Sequence, residues 1–416
     1  SVKAWKAMLQ DDFMKFSRFF FKYRLGYKMI VAPHHKVIVE TLVRVYVGEI
    51  KRLIINIPPG YTKTELAVIA WIAWCLAQNR KSKFIHVTYS DSLAMENSTQ
   101  VKDVITSEEF LAMWQLKLRT DSKSKSTWKN QFGGGMQARA AGGAITGFRA
   151  GQPEEGFSGA FIVDDPIKPD DAYSEPTVKK INGRFNGTFR SRLMQERVTP
   201  MIVIMQRIST NDPSGFLLRG GTGEKWHHLL LPALIDNSKP YPKDYTHGVP
   251  IKHNLPDGPL WTYKHTLEEL EALKLADPYV YAAQYDQAPS KLGGGIFKDS
   301  WWQYYTLGSI QCEYCIITAD TAQKKGEHND YSVLQCWGYL NNKIYLLDQI
   351  RGRWEAPELL RKARQFWDKH YGTGEARTVG KLRYMAIEDK SSGTGLIQQL
   401  RETTPEHNSI PVKAVQ

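Results

Sequence analysis

Cysteine is scarce in this sequence: four residues in 416, unevenly spaced, too few for a disulfide framework. That excludes the disulfide-stapled secreted scaffolds and fits a reducing cytoplasm. Cys312 and Cys315 form a CxxC pair, but a zinc site needs two further ligands and Cys336 alone lies close in sequence, so core packing is the expectation. Long apolar runs are also missing. Leu66 to Ala77 is followed by Gln78-Asn79-Arg80-Lys81 and is too short to cross a bilayer. No signal-peptide pattern opens the chain, which starts at Ser1. Acidic residues are in deficit, 43 against 55 lysines and arginines, for a formal net charge of +12. That balance favours a polyanionic partner such as nucleic acid. The length suggests roughly two to three domains.

Against these absences stands one stretch, LIINIPPGYTKTELAVIAWIAWCLA, from Leu53 to Ala77. Leu53 to Ile57 is an apolar run stopped by Pro58-Pro59-Gly60, which reads as a buried strand. From Thr64 onward Leu66, Ile69, Ala70, Ala73, Trp74 and Ala77 recur at helical steps. Lys63-Thr64 therefore opens a helix directly after a strand and a tight loop, where amides and the helix dipole hold phosphates. The glycine pattern of the phosphate loop is degraded, because Ile57 and Thr62 stand where GxxxxGK[ST] has glycines.

Residues 1–50 read as helical, with a core-type aromatic cluster at Phe13, Phe16, Phe19, Phe20, Phe21 and Tyr23. Pro33-His34-His35 reads as a helix start. Lys83 to Tyr89 is a second strand followed by Ser90-Asp91-Ser92, a helix-start signal. Strand and helix alternate as in a mostly parallel, doubly covered sheet. The lysine- and glycine-rich stretch 117–160 reads either as hairpins with solvated charge or as a loop delivering an arginine, Arg139 or Arg149, to a phosphate in cis or from a neighbouring subunit. Phe161-Ile162-Val163 then delivers Asp164-Asp165, and Met201 to Met205 delivers Gln206-Arg207, at the strand ends where open parallel sheets bind ligands. Phosphoryl transfer needs a carboxylate to help hold magnesium and a group to orient water, and the pair reads as supplying both or, since Pro166 follows, as a turn. Gln206 and Arg207 are expected to sense the terminal phosphate.

Residues 211–295 lose regular periodicity and read as a lid and linker after an ATPase core at 1–210, with Pro289 to Gly295 as a hinge. Beyond it, in 296–416, Cys315 to Ala319 delivers Asp320, two strands form a hairpin around Asn341-Asn342, and Tyr384 to Ile387 delivers Glu388. Carboxylates at the ends of different strands of a small sheet suit a two-metal phosphodiesterase; Asp330 and Asp389 are further acids nearby.

In this order the blocks PPGYTKTE, VTYSDSLA, GGAITGFRA, FIVDDPIKPDDAYSE, FRSRL, IVIMQR, GGIFK, ADTAQKKGEHNDYSV and IEDKSSGTGLIQQL resemble those of the large terminase subunit of tailed bacteriophages. The resemblance runs from about Pro33 to the last residue. It implies an α/β fold: an additional-strand phosphate-loop ATPase followed by a ribonuclease-H-like nuclease. By that resemblance Pro59, Gly60, Tyr61, Thr62, Lys63, Thr64 and Glu65 bind ATP, with Lys63 on the phosphates and Thr64 on magnesium. Asp164 assists the metal, Asp165 orients water and Gln206 couples hydrolysis to movement. Arg139 and Arg149 are both open as the arginine finger. Asp320 and Glu388 match nuclease metal ligands for Mg2+ or Mn2+, and Asp330 lies in the matching NDYS block. The implied partners are double-stranded DNA, the portal protein, the small terminase subunit and further copies of the chain in a ring, all in the host cytoplasm and away from membranes.

Two departures stand out. Thr62 carries a Cβ where many relatives have glycine. The family's third nuclease aspartate belongs to a block that should follow Val412 to Gln416 and is not in the sequence, so weak or no DNA cleavage is expected from this form. A plasmid-digestion assay with manganese checks this, and robust digestion would overturn it. A helicase-like or restriction-type translocase and a non-catalytic DNA-binding scaffold are the alternatives.

Overall fold

The computed structural model describes residues 2–290, 302–306, 310–321, 331–371, 381–389, 392–405 and 407–415. The chain divides into two compact units, Ser1–Lys298 and Asp299–Gln416.

The first unit is built on nine strands. They are β1 (Arg52–Asn56), β2 (Lys83–Thr88), β3 (Leu118–Lys123), β4 (Thr127–Asn130), β5 (Gly135–Ala140), β6 (Phe161–Asp164), β7 (Met201–Met205), β8 (Trp226–Leu230) and, after the two-residue β9 (Leu234–Ile235), β10 (Gly248–Pro250). Their order is β10-β8-β1-β7-β6-β2-β5-β4-β3. Pairing is parallel from β10 through β5 and antiparallel across β5, β4 and β3. β9 pairs with β11 (Gly258–Pro259) in a separate ribbon.

The central strands β1, β6 and β7 are buried at every position, as strands covered on both faces must be. Alternation sorts their side chains. Leu53 and Ile55 face a core of Phe16, Phe20, Leu66, Trp71 and Trp74, while Ile54 faces Val87, Phe161, Val203 and Phe189. The N-terminal aromatic residues Phe13, Phe16 and Phe20 are thus structural. At the opposite edge β3 carries the exposed Arg119 and Asp121, charges that discourage edge-to-edge pairing.

The stretch read as lid and linker contributes β8 and β10 to this sheet, with β8 lying parallel to β1. These strands are five and three residues long, too short for alternation to show, and their pairing partners lie far away in sequence. Residues 291–295 of the expected hinge lie outside the described residues.

The second unit has a five-stranded sheet: β12 (Tyr314–Asp320), β13 (Ser332–Leu340), β14 (Lys343–Gly352), β15 (Lys381–Glu388) and β16 (Val412–Val415). The order is β14-β13-β12-β15-β16, with β12, β13 and β14 antiparallel and β12, β15 and β16 parallel. That is the ribonuclease-H-like arrangement. Helices Ala356–Tyr371 and Ser392–Arg401 accompany it. Cys312, Cys315 and Cys336 are buried in its core, the place that core packing predicts for them.

Candidate nucleotide site and a second carboxylate pair

β1 ends at Asn56, and its extension through the Pro58-Pro59-Gly60 loop leads into a helix that opens π-helical over Glu65–Ala70 and continues α-helical over Trp71–Gln78. A π-helical turn at such a point is a recurrent mark of functional helices. β7 is inserted between β1 and β6, so the loop after β1 and the aspartates after β6 share one end of the sheet.

There the side chains converge. Lys63 Nζ lies 2.8 Å from Asp165 Oδ2 and donates to Gln206 Oε1 at 3.1 Å. Thr64 Oγ1 donates to Asp164 Oδ2 at 2.8 Å, and the Gln206 amide donates to Asp165 Oδ1 at 3.2 Å. Residues from three segments, up to 143 positions apart, are thereby joined in one network. Burial, then the neighbouring Asp165, pushes the Asp164 carboxyl up to about 7, against the pull of Lys63 and the Thr64 hydroxyl. Its Oδ1 is buried and has no hydrogen-bond partner among the described residues. An unpaired carboxylate oxygen beside a threonine hydroxyl is a hard-oxygen donor set suited to magnesium.

Two non-glycine residues at the site are left-handed, Thr62 at φ 60° and Asp165 at φ 41°. Such conformations cost about 1–3 kcal/mol each and persist where surroundings hold them. For Thr62 the holding groups are visible. The Ala32 amide donates to His35 Nδ1 at 2.9 Å, so the neutral ring carries its proton on Nε2, which lies 2.7 Å from Thr62 Oγ1; that hydroxyl in turn donates to the Tyr61 carbonyl at 2.7 Å. Burial and His34 hold His35 neutral, with its pKa near 3. A relay from a helix start replaces the freedom that glycine would supply.

Several expectations change at side-chain level. Arg207 does not face the phosphate site: it turns inward, 1% exposed, onto Asp212 and Tyr245. Its charge is buried and is satisfied there. Glu65 is taken up by an ion pair with Arg24. The Tyr61 ring is buried and its hydroxyl meets His265 Nδ1 at 3.0 Å, so the residue offers the loop its backbone.

Neither candidate arginine joins the cluster within this chain. Arg139 lies on β5, four strand spacings from β1, about 19 Å at ~4.8 Å each, and donates to the Ala138 carbonyl at 2.9 Å. Arg149 lies beside the start of β2, since Gly151 N donates to Lys83 O at 3.0 Å; this is the end of the sheet away from the phosphate loop.

A cation that sequence reasoning missed is Lys264. A Cβ added to Gly60, itself at φ +78°, would lie 3.2 Å from Lys264 Nζ. The segment carrying it is anchored by Trp261, whose ring packs 5.0 Å from His35 and 6.0 Å from Tyr61, and by His265. The signal in the sequence was the cluster Trp261-Thr262-Tyr263-Lys264-His265 in an otherwise proline-rich stretch.

In the second unit, Ala319 pairs with Ile387 across parallel β12 and β15. Asp320 and Glu388 therefore stand side by side at the carboxyl ends of adjacent strands, both exposed. Among the described residues no group of three or more His, Cys, Asp or Glu side chains could hold a metal. Asp330 lies outside the described residues.

An inserted strand between the phosphate-loop strand and the acidic strand defines the additional-strand phosphate-loop class. No protein-family model matches this sequence and no curated protein does. Among solved structures, the HK97 bacteriophage large terminase is similar at 12% identity over 97% of this chain and 84% of that chain, with a TM-score of 0.41. The large terminase of a thermophilic bacteriophage in complex with ATP-gamma-S is 11% identical over 92% of this chain and 82% of its own, with a TM-score of 0.37. The ATPase domain of the Thermus phage P74-26 large terminase is 12% identical over 65% of this chain and 98% of its own, with a TM-score of 0.36. All three are phage large terminases, the family whose sequence blocks this chain resembles.

Proposed function

We propose that this chain is a large terminase subunit, hydrolysing ATP to drive double-stranded viral DNA into a procapsid and carrying a metal-dependent endonuclease in its second unit. The observation that carries this reading is the joining of Lys63, Thr64, Asp164, Asp165 and Gln206 into one network at the end of an additional-strand sheet.

In this reading Lys63 leaves Asp165 to meet the nucleotide's phosphates, while the loop amides and the following helix N-terminus complete the cradle. Asp165, released and part-exposed, orients the attacking water. Thr64 and Asp164 hold magnesium, which neutralises phosphate charge when bound. Gln206, bonded to both Lys63 and Asp165, reports whether they are paired. Lys264 adds a second cation in cis above Gly60. Arg139 and Arg149 remain for a neighbouring subunit's phosphates or for DNA. The portal protein, the small terminase subunit and other copies of the chain in a ring are the protein partners this reading calls for.

Duplex DNA is expected to stimulate ATP turnover more than single-stranded DNA of equal length. Stronger stimulation by single strands would favour a helicase-like translocase instead. For the nuclease, Asp320 and Glu388 supply the oxygen donors that Mg2+ or Mn2+ needs, and the plasmid assay with manganese extends to this pair. Whatever cleavage the chain shows is expected to vanish in Asp320→Asn; cleavage unchanged in that variant would remove Asp320 from the site.

A further inference from the structure

A second cluster of cations lies at the other end of the first sheet. Lys83 opens β2 and pairs with Gly135, which pairs on its other side with Lys129 of β4. Directly paired residues share a face of the sheet, so the two lysines flank a position that has no side chain. Arg149 and Arg192 are brought to the same place by another route. Ala150 and Leu193 form a parallel bridge, the Ala150 amide donating to the Arg192 carbonyl at 2.9 Å and the Met194 amide to the Ala150 carbonyl at 2.8 Å. The Gly151 amide ties that bridge to Lys83.

The result is a cavity of about 290 Å3 lined by Lys83, Lys129, Arg149 and Arg192, with Gly147, Phe148 and Met194. Among the described residues no carboxylate lines it. Lys83 is held below the ordinary lysine range first by burial and then by the neighbouring charge of Lys129. Four cations from four segments of chain cost repulsion, and an anion in their midst removes it.

We infer that this cavity is a docking site for the phosphodiester backbone of duplex DNA. The reading rests on the proposed translocase function and gives it a contact surface, at the opposite end of the sheet from Lys63, so that DNA and nucleotide occupy the unit together. Arginine and lysine heads on backbone phosphates read charge and spacing, not sequence, as a translocase needs. Free phosphate or pyrophosphate shares this chemistry, and the test separates the two sources.

The test is fluorescence anisotropy of a labelled mixed-sequence duplex, titrated with the full chain at several salt concentrations. Lys129→Ala and Arg192→Ala are each expected to weaken binding by about threefold to tenfold on any sequence and to lower the slope of log K against log salt by about one. Their thermal melting and DNA-free ATP turnover should match wild type. Lys129→Arg should restore binding, which a purely structural role for the lysine would not require. Variants that bind duplex with wild-type affinity and slope would overturn the inference while leaving the translocase reading standing. Wild-type protein that neither turns over ATP nor binds duplex would sink that reading itself. Pyrophosphate displaced from wild type by neither duplex nor single strand, yet lost in both variants, would mark a small-anion site and overturn the DNA assignment.

Discussion

Lys63→Ala is expected to lower ATP turnover by at least about 10²-fold, the effect of removing one preorganised charge from a phosphoryl-transfer site. The reason lies in its partners. Lys63 is 7% exposed at its side chain and bridges Asp165 and Gln206, so no mobile surface lysine stands ready to replace it. Asp165→Ala should match that loss, because it removes the group proposed to orient water and also leaves Lys63 without its resting partner. Lys264→Ala should behave differently. Its head is exposed, and an exposed charge contact is worth about 1 kcal/mol or less, so nucleotide affinity should fall roughly threefold to tenfold while the maximal rate is largely kept. Turnover assays with a parallel fluorescent-nucleotide titration separate the three. Equal turnover in wild type, Lys63→Ala and Asp165→Ala would mean that the nucleotide site is vestigial and the chain a DNA-binding scaffold.

The second large effect is acid sensitivity. His34, His35, His86 and His228 are at most 1% exposed. Burial lowers their pKa values to about 4, 3, 3 and 3, with His34 adding to the effect on His35 and Arg207 to that on His228. Their hydrogen bonds use the neutral ring: His86 Nε2 meets Asn97 Nδ2 at 3.2 Å, and His228 lies 2.9 Å from both Tyr241 Oη and Asn56 Oδ1. Each folded-state pKa lies below the unfolded value of about 6.5. Below that pH the unfolded chain takes up protons that the folded chain refuses. The stability these residues contribute is therefore complete above pH ~6.5 and is lost as pH falls toward 3–4. At about 1.4 kcal/mol per group per pH unit, four groups approach about 5 kcal/mol per unit, comparable with the whole stability of a typical domain. Asp164 and Asp286, whose carboxyls are raised first by burial, oppose part of this. Urea unfolding followed from pH 7.5 to 4.5 should show the midpoint dropping below 6.5, and His86→Gln should flatten the slope. A flat midpoint down to pH 4.5 would show that these rings titrate freely.

What the sequence determined by itself was what local pattern and chemistry encode. The apolar run to Ile57, the proline-glycine stop, the helical period from Leu66 and the acidic strand ends at Asp164, Asp165, Asp320 and Glu388 are all short-range features. Each survived folding because strand burial and helix amphipathicity act over a few residues. The tertiary structure decided the rest, because it depends on residues distant along the chain. It turned Arg207 inward onto Asp212 and the Tyr245 ring, and inserted β7 between the lysine loop and the aspartates. It let His35 hold Thr62 in a glycine's conformation and brought Lys264 over Gly60 across roughly two hundred residues. No periodicity announces such contacts, since loop side chains meet through the path of the whole chain and not through the spacing of neighbours.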